Sequence, residues 1–245
     1  MDLLIIQIGS YLLWFPLQIL AMAAVVRCGI RRYPLIILYL VATFLAAVAQ
    51  MPAAWTSVVS HQRVQTEWYR RLHYSIDGVI YVLVLVLVIS LVYRASARLG
   101  SRHLLRFGLI LAGLLFIGIS FAIHYDSKVA YVYWMKPWTR DMNFCAAVLD
   151  LALWMLLLVS REKDHRLLLL TGGIGIMFAG EAIAEAIKSM AMHFGRKWAR
   201  DVFLGGHVFG ILADAVFLYI WWQAFRKDDT PRPGLKAPVV TAARL

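Results

Sequence analysis

The sequence predicts an all-α integral membrane protein in which seven transmembrane helices form one bundle. Of its 245 residues, 62% are hydrophobic and only 16% charged, and the mean hydropathy is +0.71. That is well above the apolar share of a soluble domain. The apolar residues gather into seven blocks, near 3–26, 34–52, 75–93, 104–124, 142–160, 167–190 and 202–225. Each block is long enough, at ~1.5 Å per helical residue, to cross a hydrocarbon core of roughly 30 Å.

The first block begins at Leu3 without a basic leader and is longer than a signal-peptide core. It lacks a small-residue cleavage site, so a retained helix is expected, kinked at Pro16. Pro34 suits the first turn of the second helix. The third block holds Val82–Val88, an alternating β-branched run with the look of a buried strand. A lone strand in lipid would leave its backbone groups without partners, so length decides for a helix. The fourth block carries His124 near its end, and the fifth carries Asn143, Asp150 and Trp154 on one stripe. The sixth contains Gly172, Gly173, Gly175, Ala179, Gly180, Ala182, Ala184 and Ala186, small residues that permit close backbone approach and predict a central helix. The seventh carries Trp221 and Trp222 near its end. The longest connections, 53–74 and 125–141, read as loops, and residues 226–245 read as a disordered cytoplasmic tail containing Asp228, Asp229, Pro231 and Pro233. No separate soluble domain is expected.

Lys and Arg favour alternate loops. Fifteen of the 25, including Arg27, Arg31, Arg32, Arg94, Arg98, Arg102, Arg106, Arg161, Lys163 and Arg166, fall on one side. The positive-inside rule then puts the N-terminus outside and the C-terminus in the cytoplasm, in a plasma or inner membrane. The formal charge of +11 is read as topology and headgroup contact, which excludes nucleic acid as a partner. Trp55, Trp68, Trp134, Trp138 and Trp198 near one interface, and Trp221 with Trp222 near the other, suit two aromatic belts. Cys28 and Cys145 fall at opposite ends of the spans, too far apart to bridge.

Five titratable groups lie inside the expected spans: Asp150, Glu181, Glu185, His207 and Asp214. An acid at the helix centre costs ~2.5–3.5 kcal/mol on the insertion scale, so these residues are the expected ligand-binding set. Glu181, Glu185 and Lys188 follow at i, i+4 and i+7, which lets Lys188 reach Glu185. Gln7, Tyr11, Trp14 and Gln18 form a stripe on the first helix, and Tyr39, Thr43 and Gln50 one on the second. Gln7, Gln18, Thr43, Gln50 and Asn143 read as interhelical hydrogen-bond partners, worth about 0.6 kcal/mol each. By depth the polar groups crowd the outer half, which predicts a pocket open to the extracytoplasmic side and closed toward the cytoplasm.

No residue is assigned a catalytic role and no cofactor is predicted. His73, Asp77, His124 and His207 form an alternative metal donor set, although no helix carries a His-x-x-x-His pair. A haem is disfavoured because the histidines differ in depth. Retinal is excluded, because helix 7 offers Asp214 and no lysine before Lys227. The acidic-Arg motif of rhodopsin-like receptors is replaced by Val92-Tyr93-Arg94, and their Asn-Pro-x-x-Tyr motif by Asp214-Ala215-Val216-Phe217-Leu218-Tyr219. Seven-helix metal hydrolases carry an Asp in helix 3 and two His in helix 7; Asp77 and His207 fit, but the second His falls at Ile211. The expected function is that of a receptor- or sensor-like protein whose outward polar pocket binds a small molecule or cation. The alternatives are a membrane-embedded metal-dependent hydrolase or proton-coupled carrier using the same carboxylates, and an accessory subunit of a larger membrane complex. The expected partners are the lipid bilayer, that ligand and a further membrane protein.

Overall fold

Each apolar block becomes a helix. A computed structural model describes residues 2–28, 33–59, 67–95, 102–126, 131–159, 165–191 and 196–226. The helices are α1 (Asp2–Arg27), α2 (Pro34–Val59), α3 (Glu67–Ala95), α4 (Arg102–His124), α5 (Tyr131–Val159), α6 (His165–Ala191) and α7 (Arg196–Arg226). Among the described residues, five contain stretches long and apolar enough to cross a membrane: Ile8–Arg27, Pro34–Pro52, Arg71–Ala95, His165–Ala191 and Trp198–Arg226. α4 contributes a shorter apolar stretch, Leu111–His124.

Three helices outrun the blocks that announced them by seven residues or more. α2 continues through Pro52 to Val59, α3 starts at Glu67, and α5 starts at Tyr131 with Pro137 inside it. Most of the expected loops 53–74 and 125–141 is therefore helical. Hydropathy marks only what sits in lipid, whereas a nucleated helix gains one hydrogen bond for every residue it adds. The run Val82–Val88 lies inside α3, as length required.

The helices close into a ring in the order α1, α2, α3, α5, α6, α7 and back to α1. α6 packs most extensively on α7, and α3 on α5; α3 and α6 also touch across the ring. Among the described residues α4 meets only α3 and α5, from outside. The small residues of α6 explain its position. A Cβ on Gly173 would stand 2.9 Å from the Trp221 ring, and a Cβ on Gly180 would collide with Ala213. Trp221 is wholly buried and donates Nε1 to the Leu170 carbonyl at 3.1 Å. It is thus a core residue and not the interfacial anchor its terminal position suggested, because Asp214, Leu218, Trp221 and Phe225 recur on one inward face. Trp138 is likewise buried, beside Gly78. Trp198 is exposed, and Trp222 stacks under the Arg226 guanidinium at 4.9 Å. The side chains of Gln7, Trp55 and Trp68, and the tail after 226, lie outside the described residues.

The outer surface is apolar. Leu12, Leu45, Val79, Leu114, Ile123, Leu151 and Met155 all stand exposed on helix faces. Exposed large side chains in such number are what a helix bundle presents to lipid, where the backbone is already satisfied internally. The chain is an all-helical protein built for embedding in a membrane.

Candidate functional site

α2 makes no close backbone contact with α6 or α7 among the described residues, although all three border the centre of the ring. Among the described residues the gap is bridged on one side. Tyr39 meets Phe217 and Trp221 edge-on at ring distances of 6.2 and 5.7 Å, and its hydroxyl donates to Met177 Sδ at 3.5 Å. This aromatic floor seals the half of the bundle where α2 begins and α3 ends. Above it, in the half where α1 and α3 begin, lies a cavity of about 320 Å³. That is the lower end of the size range of small-molecule sites, and at roughly 30 Å³ per water it could hold about ten waters.

The wall is mixed. α1 contributes Trp14; α2 contributes Tyr39, Thr43, Ala46, Ala47 and Gln50. α3 adds Asp77, Ile80, Tyr81 and Val84. From α6 come Met177 and Glu181, and from α7 Asp214, Phe217 and Leu218. Asp77, Tyr81 and Val84 follow at i, i+4 and i+7, so one face of α3 serves the cavity. Three carboxyl groups thus share one hollow, and no Lys, Arg or His is among its described lining residues. Asp214, Asp77 and Glu185 all lie within electrostatic range of Glu181.

The polar groups are held unequally. Glu181 accepts a hydrogen bond from Asn143 Nδ2 of α5 at 2.9 Å. Asp77 meets His73 Nε2 at 3.5 Å, one turn toward the start of α3. Asp214 and the Tyr81 hydroxyl have no hydrogen-bond or ion-pair partner among the described residues. Behind Thr43, the wholly buried Gln18 donates Nε2 to Thr43 Oγ1 and to the Leu40 carbonyl, both at 2.7 Å, and locks α1 to α2.

The four acids and one imidazole singled out in the sequence separate in space. Glu181 and Asp214 line the cavity. Asp150 lies outside the lining, only 2% exposed, with Oδ2 facing Gly175 and Oδ1 without a partner among the described residues. Glu185 is 70% exposed and paired with Lys188. His207 is exposed beside Phe203, because at that level α7 turns Gly206, and not His207, against α6. The five groups therefore do not line one space together, and the cavity is lined from five helices, α1, α2, α3, α6 and α7. The alternative donors do not converge either: His73 pairs with Asp77, His124 with Asp141, and among the described residues no three metal-ligating side chains are placed to hold an ion.

Tyr81 escaped the sequence reading because it sits in a Val- and Leu-rich run. Its spacing from Asp77 was the available signal. No family model, curated protein or solved structure matches the chain.

Proposed function

We propose that this chain is a receptor- or sensor-like membrane protein. It spans a plasma or inner membrane seven times, with its N-terminus outside, and binds a small ligand in the cavity between α1, α2, α3, α6 and α7. The observation that carries the reading is Asp214, a carboxyl group within an apolar helix that faces a cavity and has no partner among the described residues. An uncompensated acid in a span is costly, and one that faces a cavity marks a functional site by default. The aromatic floor supports a binding pocket over a conducting path, since the polar lining ends at Tyr39 and Phe217. Any signal would pass to a separate membrane protein.

Substituted-cysteine labelling tests this. Ala47 lines the cavity wall, so Ala47→Cys, in a chain with Cys28 and Cys145 replaced by alanine, should react with a membrane-impermeant thiol reagent in right-side-out vesicles. A cysteine in the tail, Ala237→Cys, should react only after permeabilisation. An unreactive Ala47→Cys, or a tail labelled from outside, would contradict the pocket or the orientation respectively.

A further inference from the structure

Resting on the cavity as a ligand site, we propose that its occupant is a small organic ammonium ion. Charge gives the first argument. Asp77, Glu181 and Asp214 border one hollow, and His73, beside Asp77, stands outside the described lining. An anion would meet several carboxyl groups with no described lining cation to receive it. A neutral ligand would leave Asp214 without a counter-charge.

The walls give the second argument. Trp14, Tyr39, Tyr81 and Phe217 border the same space as the acids. Aromatic faces attract cations through their quadrupole, and do so more strongly where water is displaced, which suits a methylated or primary ammonium group. A compact metal ion uses neither the rings nor the room. Calcium, for example, needs about six to eight oxygens at ~2.3–2.6 Å, whereas the cavity measures about 320 Å³ and no described trio of ligating side chains converges. Asn143, through its hydrogen bond to Glu181, acts as a positioning residue for the carboxyl group on α6.

The test is equilibrium binding to the purified full chain in detergent, with three probes: choline, its neutral isostere 3,3-dimethylbutan-1-ol, and calcium ion. Choline is expected to bind at least about tenfold more tightly than the isostere, a free-energy difference of ~1.4 kcal/mol. Glu181→Gln and Asp214→Asn should each weaken choline about tenfold, while Glu185→Gln, an exposed acid outside the lining, should not change it. Monodisperse elution of each variant guards against misfolding. Equal binding of the isostere, or binding of calcium alone, overturns the ammonium assignment and leaves the cavity as a ligand site. Binding of no probe while Ala47→Cys still labels overturns the assignment alone. Binding of no probe with Ala47→Cys inert overturns the pocket as well.

Discussion

Asp150 and Asp214 are both aspartates midway along apolar helices, and nothing in the sequence separates them. Their surroundings do. Asp214 opens on a cavity, whereas Asp150 is enclosed against Gly175 with an oxygen lacking a partner among the described residues. An enclosed acid that gains no hydrogen bond contributes only its desolvation penalty. Asp150→Asn, which keeps the shape, is therefore expected to leave the thermal midpoint in detergent unchanged or raise it; a fall of several degrees would reveal a partner. Asp141, just before the span expected from 142, behaves differently. Partial burial pushes its pKa up, but hydrogen bonds from His124 Nε2 and Ser120 Oγ, both at 2.9 Å, together with the charges of His124 and Arg140, outweigh this and hold it below the ordinary aspartate value. A carboxyl group with a depressed pKa binds fewer protons folded than unfolded. Its stabilisation is complete above the unfolded value and is lost as pH falls through the folded one. With 37% of the side chain exposed the effect is small. Asp141→Asn should flatten the acid side of the stability profile, and an unaltered slope in a pH series of thermal melts would count against this contact.

Helix existence was legible because lipid forces it: a block of that length has no other way to satisfy its backbone. Helix ends were not, since the extensions of α2, α3 and α5 lie beyond the apolar core, where hydropathy is silent. The glycines of α6 were readable as a packing surface, but their partner was not, because that depends on which face of α7 turns inward. The pairing has consequences. Gly173→Val forces a side chain into the buried, hydrogen-bonded Trp221 ring and should cost about 1–3 kcal/mol, as overpacking does. Gly118→Ala on α4 meets open space and should be neutral or slightly stabilising. Comparable thermal midpoints for the two variants would refute the α6–α7 contact. Between α1 and α2, Gln18→Leu removes two interhelical hydrogen bonds and should cost ~0.6 kcal/mol, at most about 1.7, the range found for such bonds in a helical membrane protein. A variant as stable as the parent would show that Gln18 serves something other than this contact.

At the scale of the whole molecule, the ring closes around a space that no single helix defines. Stripes on α1 and α2 were visible as polar residues at helical spacing, and Trp14, Thr43 and Gln50 do face the cavity. What could not be read was convergence. Glu181 and Asp214 meet Asp77 and Tyr81 because α3 and α6 touch across the ring, a fact of tertiary packing. Glu185 and His207, at the same helical spacing, point elsewhere. The same architecture places the carboxyl groups in one half of the bundle above an aromatic floor, which gives the cavity an electrostatic sign. The reaction rates of Ala47→Cys with a cationic and an anionic methanethiosulfonate reagent of similar size read that sign directly. The cationic reagent should react at least about tenfold faster, a transition-state difference of ~1.4 kcal/mol. The preference should collapse when Asp77, Glu181 and Asp214 are replaced by their amides. Equal rates in the parent chain, or a faster anionic reagent, would contradict a cation-binding cavity.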